Sequence, residues 1–157
     1  MDQQTQFMKH AIRLSQANME KGAGGPFGAV VVKDGKIIGE GWNKVTSTND
    51  PTAHAEVEAI RHACKRLKTY DLSGCEIYAS CEPCPMCLSA IYWSRLSKIY
   101  FANTKQDAAQ IQFDDAFIYQ EIPKPLNLRK IPTEQLLRDE AMKVFKLWDQ
   151  KVDKIRY

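Results

Sequence analysis

The strongest constraint on how this chain can fold comes from two short stretches, Thr52-Ala53-His54-Ala55-Glu56 and Ser80-Cys81-Glu82-Pro83-Cys84-Pro85-Met86-Cys87. His54 and Cys84 stand thirty positions apart, room for one helix and one strand. An imidazole, a carboxylate and two thiols at this spacing act together only if the intervening chain turns back and lays the second stretch beside the first. Whether it can do so depends on the elements around them.

The hydrophobic pattern supplies those elements. From Gln3 to Lys21, Phe7, Met8, Ala11, Ile12, Leu14 and Met19 recur at helical spacing, and Gly22-Ala23-Gly24-Gly25-Pro26 ends the run. Phe27–Val32 and Lys36–Glu40 are apolar runs joined around Asp34-Gly35, which predicts a tight hairpin. After the polar loop Asn43–Pro51, the stripe Val57, Ile60, Cys64 and Leu67 predicts a helix beginning near Thr52 or Ala53, with His54 and Glu56 in its first turn. Glu76–Ser80 reads as a strand, Pro85–Ser94 as a helix that opens on proline, and Lys98–Ala102 as another strand. A strand–helix–strand unit implies a parallel pair with a right-handed crossover. Joined to the antiparallel hairpin, it makes the fold α/β with a mixed sheet. Beyond it, Asp114–Glu121 predicts a short helix, Pro123, Pro125 and Pro132 interrupt the chain, and Ala141, Val144 and Trp148 mark a final helix from about Leu137.

One imidazole and two thiolates make three corners of a tetrahedral zinc site, and a catalytic site of this kind leaves the fourth corner to water or substrate. Thiolate charge is favoured at helix starts, where free N–H groups point outward. Zinc lowers the pKa of bound water from 15.7 towards about 7, and a carboxylate beside it can relay the protons; Glu56 is placed for that role. The competing reading makes Cys84 and Cys87 a structural half-site or redox pair and His54 an ordinary surface histidine. The combination H-x-E followed by P-C-x-x-C is the zinc-deaminase pattern and outweighs it. Cys81 precedes the helix and would close the site as a fourth ligand, so it reads as a free, semi-buried thiol. Cys64, Cys75, His10 and His62 receive no functional role.

At 157 residues the chain has the size of one domain. Apolar runs such as Ala29-Val30-Val31-Val32 are far too short to cross a bilayer, and the first residues lack a signal-peptide pattern, so the expectation is a cytoplasmic protein without a membrane partner. Five cysteines, three of them in one seven-residue window, suit metal or thiol chemistry better than a disulfide framework. A net charge of +3 is too small to imply a polyanionic partner.

Taken together, Gly24-Gly25-Pro26-Phe27-Gly28-Ala29-Val30, the segment from Asn49 to Val57, Ser80 to Leu88 with Ala90-Ile91-Tyr92-Trp93, and Phe113-Asp114-Asp115 with Phe117-Ile118-Tyr119 resemble the cytidine-deaminase-like zinc hydrolases, and among them the short bacterial guanine deaminases. The resemblance covers nearly the whole chain. It implies a three-layer α/β/α fold with a mixed sheet of about five strands, and a zinc ion held by His54, Cys84 and Cys87. The implied reaction is hydrolysis of guanine, a small-molecule purine, to xanthine and ammonia, with Glu56 as the catalytic proton carrier.

By the same resemblance, Asn43 and the backbone of Ala55 contact the purine, Phe27 and Trp93 wall the cleft, Asp115 recognises the N–H edge of the base, and Tyr157 closes the pocket. It also implies a homodimer, with residues 121–157 exchanged between subunits. The sequence departs from the family at Gln112, where the pattern has glycine, and matches it loosely from Gln135 to Arg156. These departures leave guanosine, an aminotriazine or another purine nucleoside as alternative substrates.

A tRNA or other nucleic-acid adenosine deaminase would need a basic stripe. Lys143, Lys146, Lys151, Lys154 and Arg156 are interleaved with Asp149 and Asp153 and suit a solvated helix face instead. A zinc-stapled interaction module would have no use for Glu56 and would fill all four corners.

Overall fold

Asp34 and Gly35 both adopt positive φ, which lets the chain reverse in two residues between β1 (Gly28–Lys33) and β2 (Lys36–Trp42). The computed structural model describes residues 2–157. The chain divides into two compact units, one reaching to Asp115 and one running from Ala116 to Tyr157.

The first unit opens with α1 (Gln3–Glu20), capped by the Asp2 carboxylate, which accepts from the Thr5 N–H. After the hairpin come the short α2 (Val45–Thr48), α3 (Ala55–Leu67), β3 (Glu76–Cys81), α4 (Pro85–Trp93), β4 (Lys98–Asn103) and α5 (Lys105–Gln110). The sheet order is β2-β1-β3-β4: β1 runs antiparallel to both β2 and β3, and β3 pairs parallel with β4 across the α4 crossover.

Side chains alternate across β1 and β3 and feed two cores. Val30, Val32 and Tyr78 pack under Phe7, Met8 and Leu14 of α1. On the other face Ala29, Val31, Ile77 and Ala79 meet Ala55, Ala59 and Ala63 of α3 and Ile91 of α4. Val30, Val31 and Ile77 are fully buried, each stabilising the fold by about 1.5–3 kcal/mol over an exposed position. The result is the three-layer α/β/α arrangement with a mixed sheet.

The sheet has four strands where about five were expected. The chain after β4 enters α5 and then a segment punctuated by Pro123, Pro125 and Pro132, each lacking the N–H that a further strand would need. The α5 helix carries no long apolar stripe. It is marked in the sequence by a capping box instead, in which Thr104 accepts from the Asp107 N–H and Asp107 accepts from Thr104.

The second unit contains α6 (Ala116–Glu121), a 3₁₀ turn (Leu126–Leu128) and α7 (Arg138–Gln150). The Glu121 carboxylate accepts from the Lys130 backbone N–H, and the Lys130 ammonium lies 5.3 Å over the Phe117 ring. No residue of α6 or α7 is buried, and Val144, Phe145 and Leu147 of α7 are exposed.

Candidate active site

The approach to α3 is a tightly hydrogen-bonded loop. The Asp50 carboxylate accepts from both the N–H and the hydroxyl of Thr52, the His54 N–H donates to the Thr52 carbonyl, and the Lys44 N–H donates to the Ala53 carbonyl. His54 is the residue before α3 rather than part of its first turn, with extended backbone at φ −74° and ψ 155°. Cys84 stands in the same relation to α4, at φ −67° and ψ 170°, and Cys87 follows within the first turn. Neither His54 nor Cys84 caps its own helix with its side chain. This corrects the placement of His54 inside a first turn. It also shows how a histidine and a glutamate two positions apart reach one cleft: only Glu56 is helical.

His54 Nδ1 lies 3.5 Å from the sulfurs of both Cys84 and Cys87, and the three ligand atoms all fall within 4.8 Å of one another. A tetrahedral zinc ion with bonds of about 2.3 Å to sulfur and 2.0 Å to nitrogen separates those ligands by about 3.6 Å. The donor set and its spacing fit zinc.

The electrostatics agree. The thiol of Cys87 donates to Cys84 and, with the neighbouring imidazole, lowers Cys84 to about 4, while burial opposes the shift. Beside that thiolate, buried and close to Glu56, Cys87 is pushed far up. Its partnership with Cys84 raises His54. As zinc ligands both thiols would be deprotonated.

Glu56 is 7% exposed, and its carboxylate lies 3.3 Å from Cys87 Sγ. Burial raises its pKa, which suits a group that must both take up and release protons near neutral pH. Cys81 is buried and pushed up to about 11 by burial and then by Glu56; its sulfur lies 3.7 Å from the Thr104 carbonyl, outside the ligand cluster.

Asn43 follows β2 and is buried. Its Oδ1 accepts from the N–H groups of Gly25 at 3.2 Å and Val45 at 3.1 Å, which orients the amide with its NH₂ turned away from them. A side chain at position 24 would sit 2.3 Å from that same Oδ1, so glycine there is a matter of space. Ala55 is the first residue of α3, and its N–H has no partner within the helix. Phe27 meets Phe113 edge-on with ring centres 5.0 Å apart. Asp115 is half-buried, and burial and then the charge of Cys84 raise its pKa.

Trp93 stands apart. It ends α4, about 13 Å along the helix axis from Cys84, and lines a surface hollow with Ile60, Cys64, Tyr70 and Ala90. It thus lies at the opposite end of α4 from Cys84. Tyr157 belongs to the second unit and is exposed. Sequence reasoning missed Phe113 as the partner of Phe27, although it lies inside the segment that carried the resemblance.

Residues 1–103 match the family model for the cytidine and deoxycytidylate deaminase zinc-binding region. A guanine deaminase from Bacillus subtilis is 53% identical over 151 residues, 96% of this chain and 97% of that protein. The X-ray structure of guanine deaminase from Bacillus subtilis superposes with a TM-score of 0.96 at 52% identity, covering 100% of this chain and 99% of the other. A tRNA-specific adenosine deaminase from Aquifex aeolicus is 48% identical over 96 residues, 61% of this chain and 63% of that protein.

Proposed function

The chain belongs to the cytidine and deoxycytidylate deaminase zinc-binding family, and from that premise we propose that it hydrolyses guanine to xanthine and ammonia. The observation that carries this reading is the buried Glu56 carboxylate set against the His54–Cys84–Cys87 cluster. The choice of guanine is supported by a likeness to a guanine deaminase that runs nearly the whole length of both chains, whereas the likeness to the tRNA enzyme from Aquifex aeolicus covers less than two thirds of each.

His54, Cys84 and Cys87 hold the zinc ion, which when bound supplies the Lewis acidity that makes water a nucleophile near neutral pH. Glu56 takes one proton from the attacking water and delivers it to the ring nitrogen beside the carbon bearing the amino group, then takes the second from the hydroxyl added to that carbon and delivers it to the departing amine. A C–O bond forms, a C–N bond breaks and ammonia leaves; no oxidant or reductant is required. The Asn43 NH₂ donates to an acceptor on the purine, the Ala55 N–H supplies a second donor, and the Asp115 carboxylate accepts from the N–H edge of guanine. Phe27 forms one wall of the slot.

Residues 121–157 are exchanged between the subunits of a homodimer, and Tyr157 closes the pocket of the other subunit. The exposed Val144, Phe145 and Leu147 of α7 support this, because an apolar helix face is ordinarily covered. Cytoplasmic location fits five cysteines that are all free thiols. Among the described residues no helix is long and apolar enough to cross a membrane.

The test is ammonia release by the zinc-loaded protein from guanine, guanosine, adenine, cytosine and a tRNA anticodon hairpin, with sedimentation equilibrium run on the same sample. A dimer that turns over guanine at least about 100-fold better than guanosine or the hairpin is expected, a factor within reach of a site that must pair specific N–H groups. Preference for guanosine moves the substrate to a nucleoside. Activity on the hairpin alone replaces guanine altogether, and a fully active monomer rules out exchange.

A further inference from the structure

The loop that delivers Cys84 is tied to the start of α5 at three points. The Glu82 N–H donates to the Asn103 carbonyl at 2.8 Å, the Cys81 thiol faces the Thr104 carbonyl, and the Glu82 carboxylate accepts from the Lys105 N–H at 2.9 Å. The last of these caps the first turn of α5, which already carries a complete capping box from Thr104 and Asp107. Three side chains thus fix the N-terminus of a six-residue helix that buries only Ala108.

What that helix carries explains the investment. Its C-terminal end is wound back on itself: the N–H groups of Ile111 and Phe113 donate to the Ala108 carbonyl and that of Gln112 to the Ala109 carbonyl. Phe113 then reaches Phe27, and Asp115 follows two residues on. A short, hydrogen-bonded segment therefore runs from the metal-ligand loop to Phe113 and Asp115.

We propose that Glu82 is a positioning residue: its carboxylate, by holding the Lys105 N–H, sets Phe113 and Asp115 at a fixed place relative to Cys84 and so governs guanine binding without touching the base. The inference rests on the reading of Asp115 as the carboxylate that recognises guanine. Glu82 works here as a hydrogen-bond acceptor, and its charge is incidental to the tether, so a glutamine should replace it and an alanine should not.

Steady-state kinetics on guanine with Glu82→Ala, Glu82→Gln, Asp115→Asn and the double variant Glu82→Ala/Asp115→Asn, each with its zinc content measured, decide the matter. Glu82→Ala should raise KM about tenfold, as expected for a lost helix cap transmitted to the binding loop, with kcat within about threefold and zinc retained. Glu82→Gln should stay within about twofold of the parent, and in the Asp115→Asn background Glu82→Ala should add much less than a further tenfold, the remainder coming through Phe113. Failure of glutamine to rescue, an unchanged KM in Glu82→Ala, or effects that multiply in the double variant each overturn the tether while the reading of Asp115 stands. An Asp115→Asn variant with the parent KM overturns that reading and takes the proposal with it.

Discussion

His54 and Cys84 share one backbone solution, an extended residue immediately before a helix, whose side chain is not used as a cap and is free to point into the cleft. The helix that follows each of them presents free N–H groups towards it, which favours negative charge. Glu56, two residues on and already helical, is buried enough to have its pKa raised. Gln112 has a φ of +72°, a conformation that favours glycine, and it is the position where the sequence departs from the family's glycine. Replacing Gln112 with glycine should relieve this strain and stabilise the protein by about 0.5–1 kcal/mol after the added freedom of the unfolded chain is counted. A urea midpoint that rises in Gln112→Gly is the expected result, and a midpoint that falls would show that the glutamine side chain contributes more than its backbone costs.

At the scale of elements, the position of the site depends on how closely α3 lies on β2. Gly41 makes that contact: a Cβ there would stand 2.1 Å from the Ala55 carbonyl and 2.4 Å from the Ala59 nitrogen. Gly41→Ala should force the start of α3 off the sheet, destabilise the protein by about 1–3 kcal/mol as overpacking does, and weaken zinc binding because His54 moves with Ala55. Thermal unfolding and a competitive zinc titration would check both effects, and a variant with parent stability would show that the strand can yield. The long elements were legible because their apolar residues repeat at helical or strand spacing over many positions. The four-residue α2 and the six-residue α5 bury too little to leave such a stripe. The three ligands and Glu56 were legible because they lie in two compact motifs. The surroundings of Trp93 were not, since adjacency to the ligand helix in sequence says nothing about the direction in which that helix runs.

At the scale of the whole molecule, a mixed sheet lets one strand–helix–strand crossover bring the Cys84 loop beside the start of α3, while the α1 layer seals the opposite face without contributing to the cleft. The unit from Ala116 onward adds α6 and α7, in neither of which a residue is buried. The proton carrier proposed for zinc-dependent guanine hydrolysis in this arrangement is Glu56. The measurement that tests it most directly is ammonia release from guanine by the parent protein and by Glu56→Gln at equal zinc content. The account predicts a fall in kcat of about 10²–10⁴-fold, the range for a lost general acid–base, with zinc still bound. Glu56→Gln turning over guanine at close to the parent rate with its zinc in place would contradict it.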